Sequence, residues 1–228
     1  MMKLLVYIVT LFVALQQSLY ASMMDEPLIT MLKVDKLERQ DTPHNTRKWD
    51  AGFYAGYDLN KLYIYSEGEY TSDGLEKSRN EVLYSRALTP YWDLQMGLVH
   101  DKNANGSREW AEIGFMGLAP YYFETRAALM FNNKGNVGLH LVTEYELLIT
   151  QKLILTPSLE ANLYTKDDPE LAIGKGLSSL EAGFRLRYEF IREFAPYIGV
   201  EWSKTFGKTH ELDPQNDTHA VAGISFWF

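Results

Sequence analysis

Apolar and polar residues alternate along most of the chain, the N-terminus reads as an export leader, and the last strand is apolar and aromatic at every second position up to Phe228. Together these predict an all-β fold: a transmembrane antiparallel β-barrel of about twelve strands in the bacterial outer membrane, with short periplasmic turns and longer extracellular loops. No Pro, Gly or Ser tract divides the 228 residues, so one domain is expected.

The leader comes first. Lys3 precedes an apolar run from Leu4 to Leu15, and small and polar residues follow up to Ala21. That order describes a secretory signal peptide over residues 1–21, because the apolar run is shorter than the ~20 residues a spanning helix needs. A short segment, 22–30, then leads into a barrel over 31–228.

The strands follow in order. From Ala111 to Gly117, Ala111, Ile113 and Phe115 oppose Glu112 and Met116; then Phe123, Ala127, Leu129 and Phe131 oppose Glu124, Arg126 and Met130. Beyond the turn-forming Asn132-Asn133-Lys134-Gly135, Val137, Leu139, Leu141 and Tyr145 oppose His140, Glu144 and Glu146. Leu153, Leu155, Leu159 and Leu163 oppose Lys152, Glu160 and Asn162, and Leu180, Phe184, Leu186 and Tyr188 oppose Glu181, Arg185, Arg187 and Glu189. Ile198, Val200 and Trp202 oppose Glu201. Away from the strand ends, every charge falls on the less apolar face. A charge facing lipid at mid-depth costs ~2–4 kcal/mol, whereas one in a hydrated lumen need not. A soluble sandwich also alternates, but strands of about ten residues suit a tilted membrane crossing.

Tight connections at Leu59-Asn60, Thr89-Pro90, Ala119-Pro120, Thr150-Gln151 and Ile191 to Phe194 are placed on the periplasmic side. Longer polar stretches, Thr71 to Ser78, Asp101 to Ser107, Thr165 to Leu177 and Lys204 to Thr218, are placed outside. Counting from Asp50 gives eleven strands, and a poorly alternating one around Ile29 to Glu38 makes the number even. Pro157 is expected to distort its strand, since it cannot donate to the ladder. Ala220, Ala222, Ile224, Phe226 and Phe228 complete the last strand. Phe226 and Phe228 resemble the terminal signal by which outer-membrane assembly machinery recognises its clients.

The chain has 22 basic against 30 acidic residues, and leader removal takes away only Lys3, which argues against a nucleic-acid partner. With no cysteine, thiolate catalysis and thiolate metal sites are excluded, leaving oxygen, imidazole and thioether ligands.

Several stretches are more specific: Ser66-Glu67-Gly68-Glu69, Leu83-Tyr84-Ser85-Arg86 with Pro90-Tyr91-Trp92-Asp93-Leu94-Gln95, and Gly117-Leu118-Ala119-Pro120-Tyr121. Tyr145-Glu146-Leu147-Leu148, Leu186-Arg187-Tyr188-Glu189, Arg192 through Trp202, and the terminal Phe226-Trp227-Phe228 continue the series. Through these the chain resembles the copper resistance protein B family of outer-membrane proteins. The resemblance implies a copper-tolerance component that binds copper ions or passes them across the barrel. Copper is then cargo rather than a catalytic cofactor, and the expected partners are periplasmic copper-handling proteins, outer-membrane lipids and lipopolysaccharide. Many members of that family carry a Met- and His-rich segment after the leader; here only Met23, Met24, Met31 and His44 stand in that region, which shifts attention to the barrel.

Copper(I) prefers thioether and imidazole, copper(II) imidazole and oxygen. By parity Met116, Met130 and His140 face the lumen. If Met130 pairs with Gly138, Ala128 faces His140 and Met130 lies diagonal to it at ~7–8 Å between backbones. Glu124 and Glu144 are the carboxylates expected to complete such a site. The bland alternative is that Met130 fills space and His140 bonds to the luminal carboxylates. His210 and His219, assigned to the last long loop, are the second candidates. Other functions are a lipid-modifying enzyme, with outward-facing His100 as its base but no matching Ser, and a general pore or adhesin; a non-enzymatic protein is expected.

Overall fold

A computed structural model describes residues 27–228, so the signal peptide expected over 1–21 and most of segment 22–30 lie outside the described residues. The strands are β1 (Ile29–Gln40), β2 (Arg47–Gly56), β3 (Asn60–Thr71), β4 (Gly74–Thr89), β5 (Trp92–Asn103), β6 (Ser107–Ala119) and β7 (Phe123–Phe131). They continue as β8 (Val137–Glu144), β9 (Leu147–Leu148), β10 (Leu153–Tyr164), β11 (Gly176–Tyr188), β12 (Phe194–Thr205) and β13 (Asn216–Trp227). A helix, α1 (Gly207–Leu212), lies between β12 and β13.

Neighbours in sequence pair antiparallel, and β13 pairs with β1, so the sheet closes and leaves no edge. β8 and β9 both pair with β10 and form one interrupted stave, which makes a closed barrel of twelve. The interruption falls opposite Pro157. Ser158 pairs with Glu144 and Leu155 with Leu147, so the register runs through unshifted; the proline opens the ladder without inserting a bulge, and its carbonyl still accepts from Tyr145 N–H at 3.1 Å.

The weak alternation of β1 has a local cause. Val34 pairs with Ala51 but Lys36 with Asp50, so Asp35 is an extra residue. This bulge moves the luminal positions from Met31 and Lys33 to Lys36, Glu38 and Gln40. Asp35 accepts an ion pair from Lys33 at 2.8 Å.

The five tight turns lie on one rim and the remaining connections on the other, as the sequence predicts. Two of the expected outer loops are mostly strand: β3 and β4 run up to a turn at residues 72–73, and β5 and β6 to a connection at 104–106. Their polar residues mark strand ends rising toward the outer rim. The larger outer connections are 165–175 and 206–215.

Outward residues such as Leu62, Ile64, Val82, Leu98, Ile113, Phe115, Phe184 and Ile198 are exposed, while Glu38, Glu81, Gln95, Glu112, His140, Arg185 and Glu201 are buried inside. This inverts a soluble protein, with apolar atoms outside and a polar interior held by ion pairs. Tyr57, Tyr91, Tyr121, Tyr122 and Phe190 stand exposed at the periplasmic rim, where amphipathic rings favour the headgroup region.

Candidate metal centre in the barrel lumen

Most luminal carboxylates are neutralised by the chain's own cations. Lys48 reaches Glu69 at 2.6 Å, Glu201 at 2.7 Å and Glu181 at 3.1 Å, and Arg185 holds Glu38 at 2.8 Å and Glu201 at 2.6 Å. Arg126 joins Glu81 and Glu112, and Arg79 holds Asp101 at 2.7 Å. Buried carboxylates need such partners, since an unpaired charge in this setting costs several kcal/mol.

Glu67 on β3 and Glu160 on β10 are different. Among the described residues, neither has a Lys or Arg nitrogen within 4.0 Å. They meet His140 of β8, and one ligand atom from each of the three lies within 4.8 Å of the others. Register explains the access of each. Glu67 sits between Asp50 and Arg79, but Arg79 is drawn to Asp101. Asn162, the cross-strand partner of His140, donates to Glu160 Oε1 at 3.1 Å and so steers that carboxylate toward the ring.

His140 is 2% exposed. Its Nε2 lies 3.3 Å from Glu160 Oε1, while its buried Nδ1 has no hydrogen-bond partner. The buried imidazole of His140, beside two carboxylates that no Lys or Arg approaches, is a donor set that one positive ion would complete. One imidazole and carboxylate oxygens suit copper(II) better than copper(I), which favours sulfur.

A cavity of about 380 Å³ opens toward the outer side: its walls include Asn105, Ala172 and Gln215 of the outer connections, and Glu67 and Glu160 further in, with His140 behind them outside its lining.

The other residues expected at a site lie elsewhere. Met130 pairs with Gly138 and Ala128 with His140, the register supposed from the sequence. Yet Met130 belongs to an apolar cluster with Val99, Trp110, Tyr164 and Ile173. Gly138 makes room for it: a Cβ there would lie 3.0 Å from Met130 Cε. The thioether of Met116 accepts from Tyr65 Oη at 3.3 Å and Gln95 Nε2 at 3.7 Å. Glu124 and Glu144 face each other across β7 and β8, two luminal steps from His140 toward the periplasm, outside its cluster. His210 stands on α1, its Nδ1 3.1 Å from Thr205 Oγ1. His219 belongs to β13 rather than to the loop, opposite Glu201. Neither Glu67 nor Glu160 belongs to the site derived from the sequence: alternation gives Glu160 only as a luminal carboxylate, and for Glu67 its place in the Ser66-Glu67-Gly68-Glu69 stretch is the available signal.

The closed barrel, with lipid-compatible residues outside and charges inside, defines an integral outer-membrane protein. A family model described as copper resistance protein B precursor matches residues 28–228, and the chain belongs to that family. It is 38% identical over 210 residues to copper resistance protein B of Escherichia coli, covering 90% of this chain and 71% of that one. It is 34% identical over 210 residues to the copper resistance protein B homolog of Pseudomonas syringae pv. tomato, with the same coverage, 90% and 71%. Among solved structures the NanC porin superposes with a TM-score of 0.55 at 14% identity, covering 88% of this chain and 99% of that one. The KdgM porin superposes at 0.50 and 13% identity with coverage of 88% and 99%; both likenesses concern the fold. Family and barrel mark a non-enzymatic protein of copper resistance. His100, the base in the enzymatic alternative, faces outward with its Nδ1 3.9 Å from Glu109.

Proposed function

We propose that this barrel contributes to copper resistance by holding copper(II) inside its lumen, with Glu67, His140 and Glu160 as ligands and water completing the shell. The observation that carries the reading is the convergence on a buried histidine of two carboxylates that no Lys or Arg approaches. The ligand set agrees with the family's concern with copper and uses neither Met130 nor Met116. With one nitrogen and two carboxylates, binding is reversible enough for copper to be handed on, and periplasmic copper-handling proteins are the natural recipients. Lipid and lipopolysaccharide surround the barrel as its solvent.

The test is a copper(II) titration of the folded protein in detergent, together with growth under copper stress of a deletion strain carrying wild type or His140→Ala. One equivalent bound by wild type, lost in the variant along with copper tolerance, supports the reading. Equal binding and growth at equal folded levels would overturn it and turn attention to His210 and His219.

A further inference from the structure

The outward face of the barrel carries a pair of charges that the apolar belt does not explain. On β1, Glu38 and Gln40 are buried in the lumen, so Arg39 between them points outward, and it is exposed. On β2, Lys48 reaches Glu201 inside the lumen, so the exposed Arg47 beside it also points outward. The two arginines are direct cross-strand partners, next to the outer connection at 41–46. Like charges set opposite each other destabilise a sheet, and a guanidinium turned toward lipid adds its own cost. Among the described residues neither arginine has a carboxylate oxygen within 4.0 Å; Arg39 Nη2 donates to Asn45 Oδ1.

The surroundings say what would neutralise them. The same row holds Ala222 of β13 on one side and the exposed Tyr70 of β3 on the other. One outward step toward the periplasm Leu37 faces Trp49, so the arginines stand at the outer edge of the apolar belt. A groove of about 680 Å³ starts at Arg39, Asp41 and Asn45 and runs over outward residues of β10 to β13, among them Leu155, Phe184, Ile198, Val200, Ala220 and Ala222. Ala220 and Ala222 lie opposite the larger Val200 and Ile198, which leaves a depression along β13. The polar end therefore has two cations, Arg39 with Arg47 beside it, against one carboxylate, Asp41, and the rest is apolar.

We propose that this surface is a binding site for lipopolysaccharide of the outer leaflet, with a lipid A phosphate held between Arg39 and Arg47 and one acyl chain in the groove along β13. Each guanidinium offers parallel N–H donors that match phosphate oxygens, and the phosphate charge removes the repulsion between the two arginines. A free phosphate ion would leave the groove unused, whereas a phosphorylated lipid fills both the polar end and the apolar channel. Both arginines point away from the lumen, so the inference is independent of the copper reading.

The experiment is native mass spectrometry of the folded barrel in detergent, titrated with lipid A, with lipid A stripped of its phosphates, and with phosphatidylglycerol. Wild type should retain one lipid A, Arg39→Gln and Arg47→Gln should each weaken retention roughly tenfold, and Arg39→Gln/Arg47→Gln should lose it. Phosphate-free lipid A should bind wild type roughly tenfold more weakly, and Ala220→Trp, which fills the groove and keeps both arginines, should weaken lipid A as well. Equal retention by wild type and the double arginine variant, or of both forms of lipid A by wild type, would overturn the phosphate site. Phosphatidylglycerol held as tightly as lipid A would overturn lipopolysaccharide as the occupant, and full binding by Ala220→Trp would overturn the acyl-chain half of the proposal. The substitutions lie on the outward face and should leave the mobility of the unboiled barrel unchanged. If a variant does not fold, the comparison of the two forms of lipid A on wild type decides alone.

Discussion

Replacing Arg185 by Met tests whether the lumen is held by ion pairs. Its Nε and Nη2 bind the two oxygens of Glu38 at 2.9 and 2.8 Å, and Nη2 also reaches Glu201 at 2.6 Å. After the change, Glu201 keeps Lys48 at 2.7 Å and Gln40 at 2.7 Å. Glu38, whose side chain is 0% exposed, keeps only the Tyr197 hydroxyl at 3.0 Å. The cost therefore falls on one stranded carboxylate, about 3–5 kcal/mol for breaking a buried pair from one side. Neutralising that carboxylate as well, in Arg185→Met/Glu38→Gln, should recover most of the loss. Urea unfolding in lipid vesicles, followed by the faster gel mobility of unboiled folded barrel, measures both variants. A loss below ~1 kcal/mol for the single variant, or equal losses for single and double, would refute this account of the interior.

Three further outcomes follow from the same structure. Ile113→Arg places a charge on the lipid face of β6 between Met96 and Leu129 and should cost about 2–4 kcal/mol in the same assay, while a loss near zero would mean the belt is misassigned. Deleting Phe228 should lower the folded outer-membrane fraction and leave unfolded protein in the periplasm; unchanged levels would remove it as an assembly signal. In the connection at 165–175, hydrogen bonds from Arg108 and Lys134 hold the Glu170 carboxyl below the usual range, and the Lys175 backbone and Lys208 do the same for Asp167. Depressed folded values mean that the stabilisation is fully present above the ordinary carboxylate range and is lost as pH falls through the folded values. Proteolysis within 165–175 should therefore accelerate below about pH 4 and stay slow at neutral pH, and a pH-independent rate would count against the ion pairs.

Alternation read one strand at a time assigns side chains to lumen or lipid, and it did so correctly for Met116, Met130, His140 and the luminal carboxylates. The register supposed across the 132–135 turn, Met130 opposite Gly138, is the one observed, since a short turn leaves few alternatives. It could not bring Glu67 to His140. β3 and β8 are far apart in the order of the sheet and meet only across the lumen, so their relative height depends on the tilt of the whole barrel. Glu124 and Glu144 were legible as luminal but not as lying two steps too low. The bulge at Asp35 weakened the alternation of β1 by reversing its parity midway, so that strand was placed by the even count rather than by its pattern, and the Thr71 to Ser78 stretch read as loop because strands rising toward the rim carry polar residues on both faces.

The central claim, that the lumen holds copper(II) through His140 with Glu67 and Glu160, is tested most directly by pulsed electron paramagnetic resonance of the folded protein with one equivalent of copper(II). The account predicts coupling to a single imidazole nitrogen that disappears in His140→Ala. No nitrogen coupling in wild type, or coupling that survives in His140→Ala, would contradict it.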